Sequence, residues 1–165
     1  MATPTSRGAA AGPGKPREMV LPDTIIDTIE TGKAAGRGDE AVVLAWLDGG
    51  GHVDARHSEM QGTLLMTASV MGHERLVIRL LGKGAAVDLQ NTGGSTALLG
   101  AAHQGQLSTL RRLLRAGART DLKPKGGFTA LQCAEYKGHA DVAQLLREHA
   151  AAMVLPEETC RTFYI

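Results

Sequence analysis

The sequence predicts an all-α solenoid of four stacked helix-turn-helix units. Three sets of positions recur at an interval of 33 residues, which is the signature of a repeat architecture. They are Thr63, Thr96 and Thr129; Ala68, Ala101 and Ala134; and Gly72, Gly105 and Gly138. In addition, only 3% of the 165 residues are aromatic, whereas 21 are glycine. A core with so few rings must be filled by small and aliphatic side chains.

Each regular unit has the residue types of two helices separated by a turn. The recurring threonines open the first helices, where a hydroxyl can accept a hydrogen bond from an unpaired backbone N–H. The recurring alanines allow neighbouring helices to approach closely, and the glycines fall where a helix must end, often with positive φ. Leucines such as Leu110, Leu113 and Leu114 give the second helix an apolar stripe at helical spacing. A single unit cannot bury that stripe alone.

The three regular units begin GTLLMTASVMGHERLVIRLLGKGAAVD, STALLGAAHQGQLSTLRRLLRAGARTD and FTALQCAEYKGHADVAQLLREHAA. They resemble the ankyrin repeat, whose pattern is a β-turn, a T-P-L-H-x-A helix, a Gly turn, a Leu-rich second helix and a closing Gly-Ala. The resemblance implies an ankyrin-repeat α-solenoid with short β-turn or hairpin connections. It covers about residues 22–151, and the predicted units are 22–54, 55–88, 89–121 and 122–151.

The first unit and the end of the last regular unit depart from the pattern. The first begins at Pro22 and Asp23 without the T-P-L-H signature and places Trp46 at a core register of its second helix. The last has Ala150 where the closing glycine would stand. Both departures are typical of capping repeats. We expect residues 1–21 to be a disordered tail, with an organellar transit peptide as the alternative, and residues 152–165 to be a C-terminal tail whose last three residues also fit a PDZ ligand.

Several classes of protein are disfavoured by the composition. No stretch approaches the ~20 consecutive apolar residues of a membrane-spanning helix, and residues 1–18 contain no apolar run of signal-peptide length. We therefore expect no membrane association and a cytoplasmic or nuclear location. Cys133 and Cys160 suit neither a disulfide framework nor a zinc site, and Cys133 is predicted to be a buried, inert thiol.

The sequence contains no catalytic constellation. His73 and His139 occupy the Gly-His turn of the repeat, which indicates a structural role, and His52 and His57 lack the carboxylate or thiolate partners of a metal site. The chain is predicted to be non-enzymatic, with no catalytic residue, metal ligand or cofactor. An enzyme would require a site that the sequence does not display.

The resemblance implies a protein-binding module, because stacked units place their turns and the outer positions of their first helices on one concave face. The ankyrin pattern assigns the following residues to that face: Glu59, Met60, Val70, Met71, Thr92, Ser95, His103, Gln104, Lys125, Phe128, Tyr136 and Lys137. Methionine and aromatic side chains are common interface anchors. The alternative for Val70 and Phe128 is packing on the next repeat. Lysines beside aromatic residues favour an extended, acidic and apolar segment of another protein as partner.

Charge is unevenly distributed along the chain. The segment from Glu18 to Glu59 contains nine acidic and three basic residues, a net charge of −6. The segment from Arg75 to Lys125 contains nine basic and two acidic residues, a net charge of +7. The basic middle repeats support a second hypothesis, a regulator associated with nucleic-acid-bound complexes. Direct nucleic-acid binding is less favoured, because no groove-reading helix or stacking platform is evident and the whole chain carries only +1. The chain is predicted to be a monomer.

Overall fold

The computed structural model describes residues 25–57, 61–125 and 127–153. These residues form four helix pairs, with a short antiparallel hairpin between the first pair and the second. The elements are α1 (Ile25–Arg37), α2 (Glu40–Asp48), β1 (Arg56–His57), β2 (Gly62–Thr63), α3 (Leu64–Met71), α4 (Glu74–Gly82), α5 (Ala97–His103), α6 (Leu107–Arg115), α7 (Ala130–Lys137) and α8 (Ala140–Met153). Several predictions concern residues outside the described ranges: the N-terminal tail, Pro22, Asp23, Glu59, Met60, Cys160 and the last three residues.

The helices form two layers. The first helices of the pairs, α1, α3, α5 and α7, pack in succession as an inner layer. The second helices form the outer layer, in which α4 packs on α6 and α6 on α8. Fully buried alanines such as Ala68 and Ala101 and fully buried leucines such as Leu80 and Leu113 join the layers in one hydrophobic core. The predicted all-α solenoid of helix-turn-helix units with a hairpin connection is confirmed.

The predicted helix starts and turns are found in the three regular units. The hydroxyls of Thr63, Thr96 and Thr129 each accept a hydrogen bond from the backbone N–H three residues later, at 3.2–3.3 Å. The turn glycines all have positive φ: 78° at Gly72, 72° at Gly105 and 77° at Gly138. Both expectations are therefore confirmed, and they fix where each first helix begins and ends.

Two histidines link successive turns. The Nε2 atom of His73 lies 2.9 Å from the carbonyl oxygen of Gly36, and that of His139 lies 3.1 Å from the carbonyl oxygen of His103. Each ring reaches back to the preceding unit, so the predicted structural role of the two histidines is confirmed. In the third unit Gln106 takes this register and its side-chain amide packs over Gly72.

The terminal units differ from expectation in two places. Trp46 is half-buried, whereas Val43 is fully buried, and the indole ring packs over Gly51 because that glycine has no Cβ. In the last unit α8 continues to Met153, past the predicted end at residue 151. Gly117 follows α6 with a φ of 86°, but Ala150 stands at the equivalent position of α8. Since alanine disfavours positive φ, the helix continues through it.

Candidate binding face

The candidate binding face lies on the exposed side of the inner layer and the turns that precede it. Val70, His103 and Tyr136 occupy the same register of α3, α5 and α7, 33 residues apart, near the end of each helix. Their exposure rises along the stack: Val70 is half-buried, His103 is exposed and Tyr136 is 81% exposed. The backbone position therefore recurs in each of these three units, whereas the side chain at that position differs.

A side-chain hydrogen-bond cluster shapes the turn before α5. The Asn91 Oδ1 atom accepts hydrogen bonds from the backbone N–H of Gly93, at 3.0 Å, and of Ser95, at 2.9 Å. These bonds hold the turn that carries Thr92 and Ser95. The backbone N–H of Lys125 in turn donates to the Gly93 carbonyl at 2.9 Å, which positions the fourth turn against the third.

The structure brings four of the predicted residues together around one cleft of about 250 Å³. They are Val70, Ser95, His103 and Gln104, and the remaining wall consists of Met66, Asn91, Thr96, Leu99, Gly100 and Cys133. Buried Met66 and Leu99 make the wall partly apolar. A Cβ on Gly100 would lie 2.6 Å from Val70 Cγ2, so the glycine lets Val70 pack across the interface between α3 and α5.

The other described candidates lie outside this cleft. Phe128 and Tyr136 form an exposed pair with ring centroids 6.3 Å apart and an interplanar angle of 32°. Phe128 is 52% exposed and Met71 is 53% exposed. The alternative of packing on the next repeat therefore describes half-buried Val70 and not Phe128. Thr92, Lys125 and Lys137 are also exposed.

Sequence reasoning missed part of the cleft. Cys133 is half-buried and lines it, so the prediction of a buried thiol was wrong. Leu99 was not among the candidates either. A signal was present, since Gly100 stands where Thr67 and Cys133 stand in the adjacent units. The missing side chain at this register allows Val70 of α3 to pack against α5 and form one wall of the cleft.

Ion pairs between adjacent units moderate the charge asymmetry of the chain. Lys83 Nζ lies 2.6 Å from Asp48 Oδ1, and Arg112 Nε lies 2.8 Å from Glu74 Oε1. Within the third unit the guanidinium of Arg119 hydrogen-bonds Asp121 and lowers the pKa of its carboxyl. On the candidate face, by contrast, neither Lys125 nor Lys137 forms an ion pair with a described carboxylate.

Within residues 25–57, 61–125 and 127–153, no group of three or more His, Cys, Asp or Glu side chains could hold a metal ion. No described helix has the length and apolar character needed to cross a membrane.

Comparison with known proteins identifies the family. A family model described as ankyrin repeats (3 copies) matches residues 64–156, which is more than half of the chain. The chain therefore belongs to the ankyrin repeat family. The match spans the three regular units, whereas the first helix pair lies before it. Ankyrin repeats are generally protein-protein interaction modules and are typically non-catalytic. A search of curated proteins gave no match.

Proposed function

We propose that this chain is an adaptor, scaffold or inhibitor that binds a partner protein through its concave face. The observation that carries the proposal is the exposure of Tyr136, Phe128 and Met71 on the candidate binding face. Scattered apolar residues occur on any surface, but here two rings contact each other at positions that belong to one repeated face. Tyrosine and methionine on a rigid support are effective interface anchors.

The surroundings favour an extended segment with acidic and apolar residues as the partner. Lys125 and Lys137, exposed and without a described ion-pair partner, would attract carboxylates, while the cleft beside Val70 and Leu99 suits one apolar side chain. The preformed helices lose little conformational entropy on binding. We place this activity in the cytoplasm or nucleus and assign it to a monomer.

A quantitative affinity capture from cell extract tests the proposal. The wild-type chain, Tyr136→Ala and Met71→Ala would be immobilised, with Arg79→Ala as the control because Arg79 is exposed on α4 in the outer layer. We expect a set of proteins to be retained by the wild type and the control and lost from both face variants. Retention of identical sets by all four would overturn the assignment of the face.

A role on nucleic-acid-bound complexes receives less support. Of the nine bases between Arg75 and Lys125, Lys83, Arg112 and Arg119 lie within 3 Å of a carboxylate oxygen. Their charge is thereby partly neutralised. Strong, salt-dependent affinity for generic DNA at low ionic strength would reverse this preference.

A further inference from the structure

A second cleft lies between the outer helices α6 and α8, in the layer opposite the candidate binding face. It measures about 350 Å³ and is lined by Arg111, Leu114, Arg115, Leu145, Glu148 and His149. Arg111 and Arg115 are four residues apart on α6, so their side chains leave the same face of the helix. Both are exposed, and neither is paired with a carboxylate of the described residues.

The imidazole of His149 adds a third donor. Its Nδ1 atom is buried and has no hydrogen-bond partner among the described residues. A buried N–H without an acceptor is costly, which favours the tautomer that carries its hydrogen on Nε2. In that tautomer Nε2 is an N–H donor, and His149 is one of the residues that line the cleft.

We propose that this cleft binds a phosphoryl dianion presented by a phosphorylated serine or threonine of a partner protein. A phosphoryl group has three terminal oxygens, which match two guanidinium groups and one imidazole N–H. Guanidinium groups bind such oxygens in a bidentate manner and are weakly hydrated compared with ammonium groups. Leu114 and Leu145 add apolar surface for the carbon atoms of the phosphorylated side chain.

The charges around the cleft favour a single phosphoryl group over a nucleic-acid backbone. Arg112 is paired with Glu74, Arg119 with Asp121 and Arg147 with Glu135, so the unpaired arginines do not extend into a stripe. A nucleic acid would require several cations in succession along the surface.

The Glu148 carboxylate opposes an anion in this cleft. Glu148 is exposed and lines the cleft, and its Oε1 atom accepts a hydrogen bond from Gln144 Nε2 at 2.9 Å. Removing this charge should therefore strengthen binding, and this opposite effect distinguishes a specific site from a general loss of structure.

The test is an NMR titration of the full chain that follows the arginine Nε–Hε signals. The probe is N-acetyl-phosphoserine methylamide, compared with the unphosphorylated amide, inorganic phosphate and a short DNA duplex. We expect saturable shifts at Arg111 and Arg115 with the phosphorylated probe. Arg115→Gln should weaken binding roughly tenfold or more, Glu148→Gln should tighten it, and the matched Arg79→Gln control should leave it unchanged.

Several results would overturn the proposal. They are linear shifts at all exposed arginines alike, equal weakening by Arg79→Gln, or tighter binding of inorganic phosphate than of the phosphorylated probe. DNA binding that exceeds probe binding and is lost in Arg115→Gln would assign the cleft to nucleic acid instead. Circular dichroism of each variant checks that it is folded, so that a change in binding is not caused by unfolding.

Discussion

The buried and the exposed sides of the inner helices differ in how strictly their residue types repeat from unit to unit. On α7, Ala134 is fully buried, whereas Tyr136, two positions later, is 81% exposed. The buried side repeats almost unchanged as Ala68, Ala101 and Ala134, because only a small side chain permits the helices to approach this closely. The exposed side changes from valine to histidine to tyrosine at one register. The repetition thus specifies the fold, and specificity for a partner must come from the positions that do not repeat.

The largest expected effect comes from the buried side. Leu98 on α5 is 1% exposed, and Leu98→Ala should reduce the free energy of unfolding by about 2–5 kcal/mol through lost burial and the cavity it leaves. Urea denaturation monitored by circular dichroism measures this change. A loss no larger than that of an exposed position would show that the inner layer is not tightly packed.

The turns should give the next largest effect. Gly105 and Gly117 both have positive φ, 72° and 86°, so an alanine at either position should cost about 1–2 kcal/mol in backbone strain. At Gly105 the new Cβ would also lie 2.7 Å from Nδ1 of His139, whereas no atom lies within 4 Å of a Cβ at Gly117. Gly105→Ala should therefore destabilise more than Gly117→Ala in urea denaturation. Equal losses would mean that the His139 contact contributes nothing to stacking.

These turns also show how far the sequence alone predicts the structure. The threonine caps and the turn glycines depend on local backbone geometry, so the 33-residue spacing locates them. The half-buried states of Trp46 and Cys133 depend instead on how closely neighbouring units pack. Val70 can pack against α5 and form one wall of the cleft because Gly100 lacks a side chain at a register where the adjacent units have one. Such differences between units become visible only when the helices are placed side by side.

A smaller effect is expected from His57 in the hairpin, which joins the first unit to the second. Its Nε2 atom lies 2.9 Å from the Thr67 hydroxyl, and its ring packs over Gly32 of α1. Burial lowers the pKa of His57 below 6.5, with a backbone hydrogen bond at Thr63 acting in the opposite direction. The unfolded chain therefore takes up a proton more readily, so this contribution to stability is present above about pH 6.5 and decreases as the pH falls below it.

The measurement is urea denaturation of the wild type and His57→Gln at pH 7.5 and pH 5.5. The wild type should lose more stability between the two pH values than the variant does. An identical loss in both proteins would exclude His57 as the group responsible.

The smallest effect on stability should come from the exposed side. Met71 is 53% exposed, so Met71→Ala should change the free energy of unfolding by no more than about 0.5 kcal/mol. The measurement is thermal denaturation of Met71→Ala, compared directly with that of Leu98→Ala. A large shift would place Met71 in the stacking core and remove it from the candidate binding face.

Tyr136 is proposed to serve partner binding and not folding, and one paired measurement tests this role most directly. Wild type, Tyr136→Ala and the Arg79→Ala control would be compared for affinity toward a captured partner and for midpoint of thermal unfolding. We predict that Tyr136→Ala weakens binding at least tenfold, as expected for an aromatic anchor, while its unfolding midpoint matches that of the control. Unchanged affinity, or a loss of affinity that only accompanies a loss of folding, would contradict the claim.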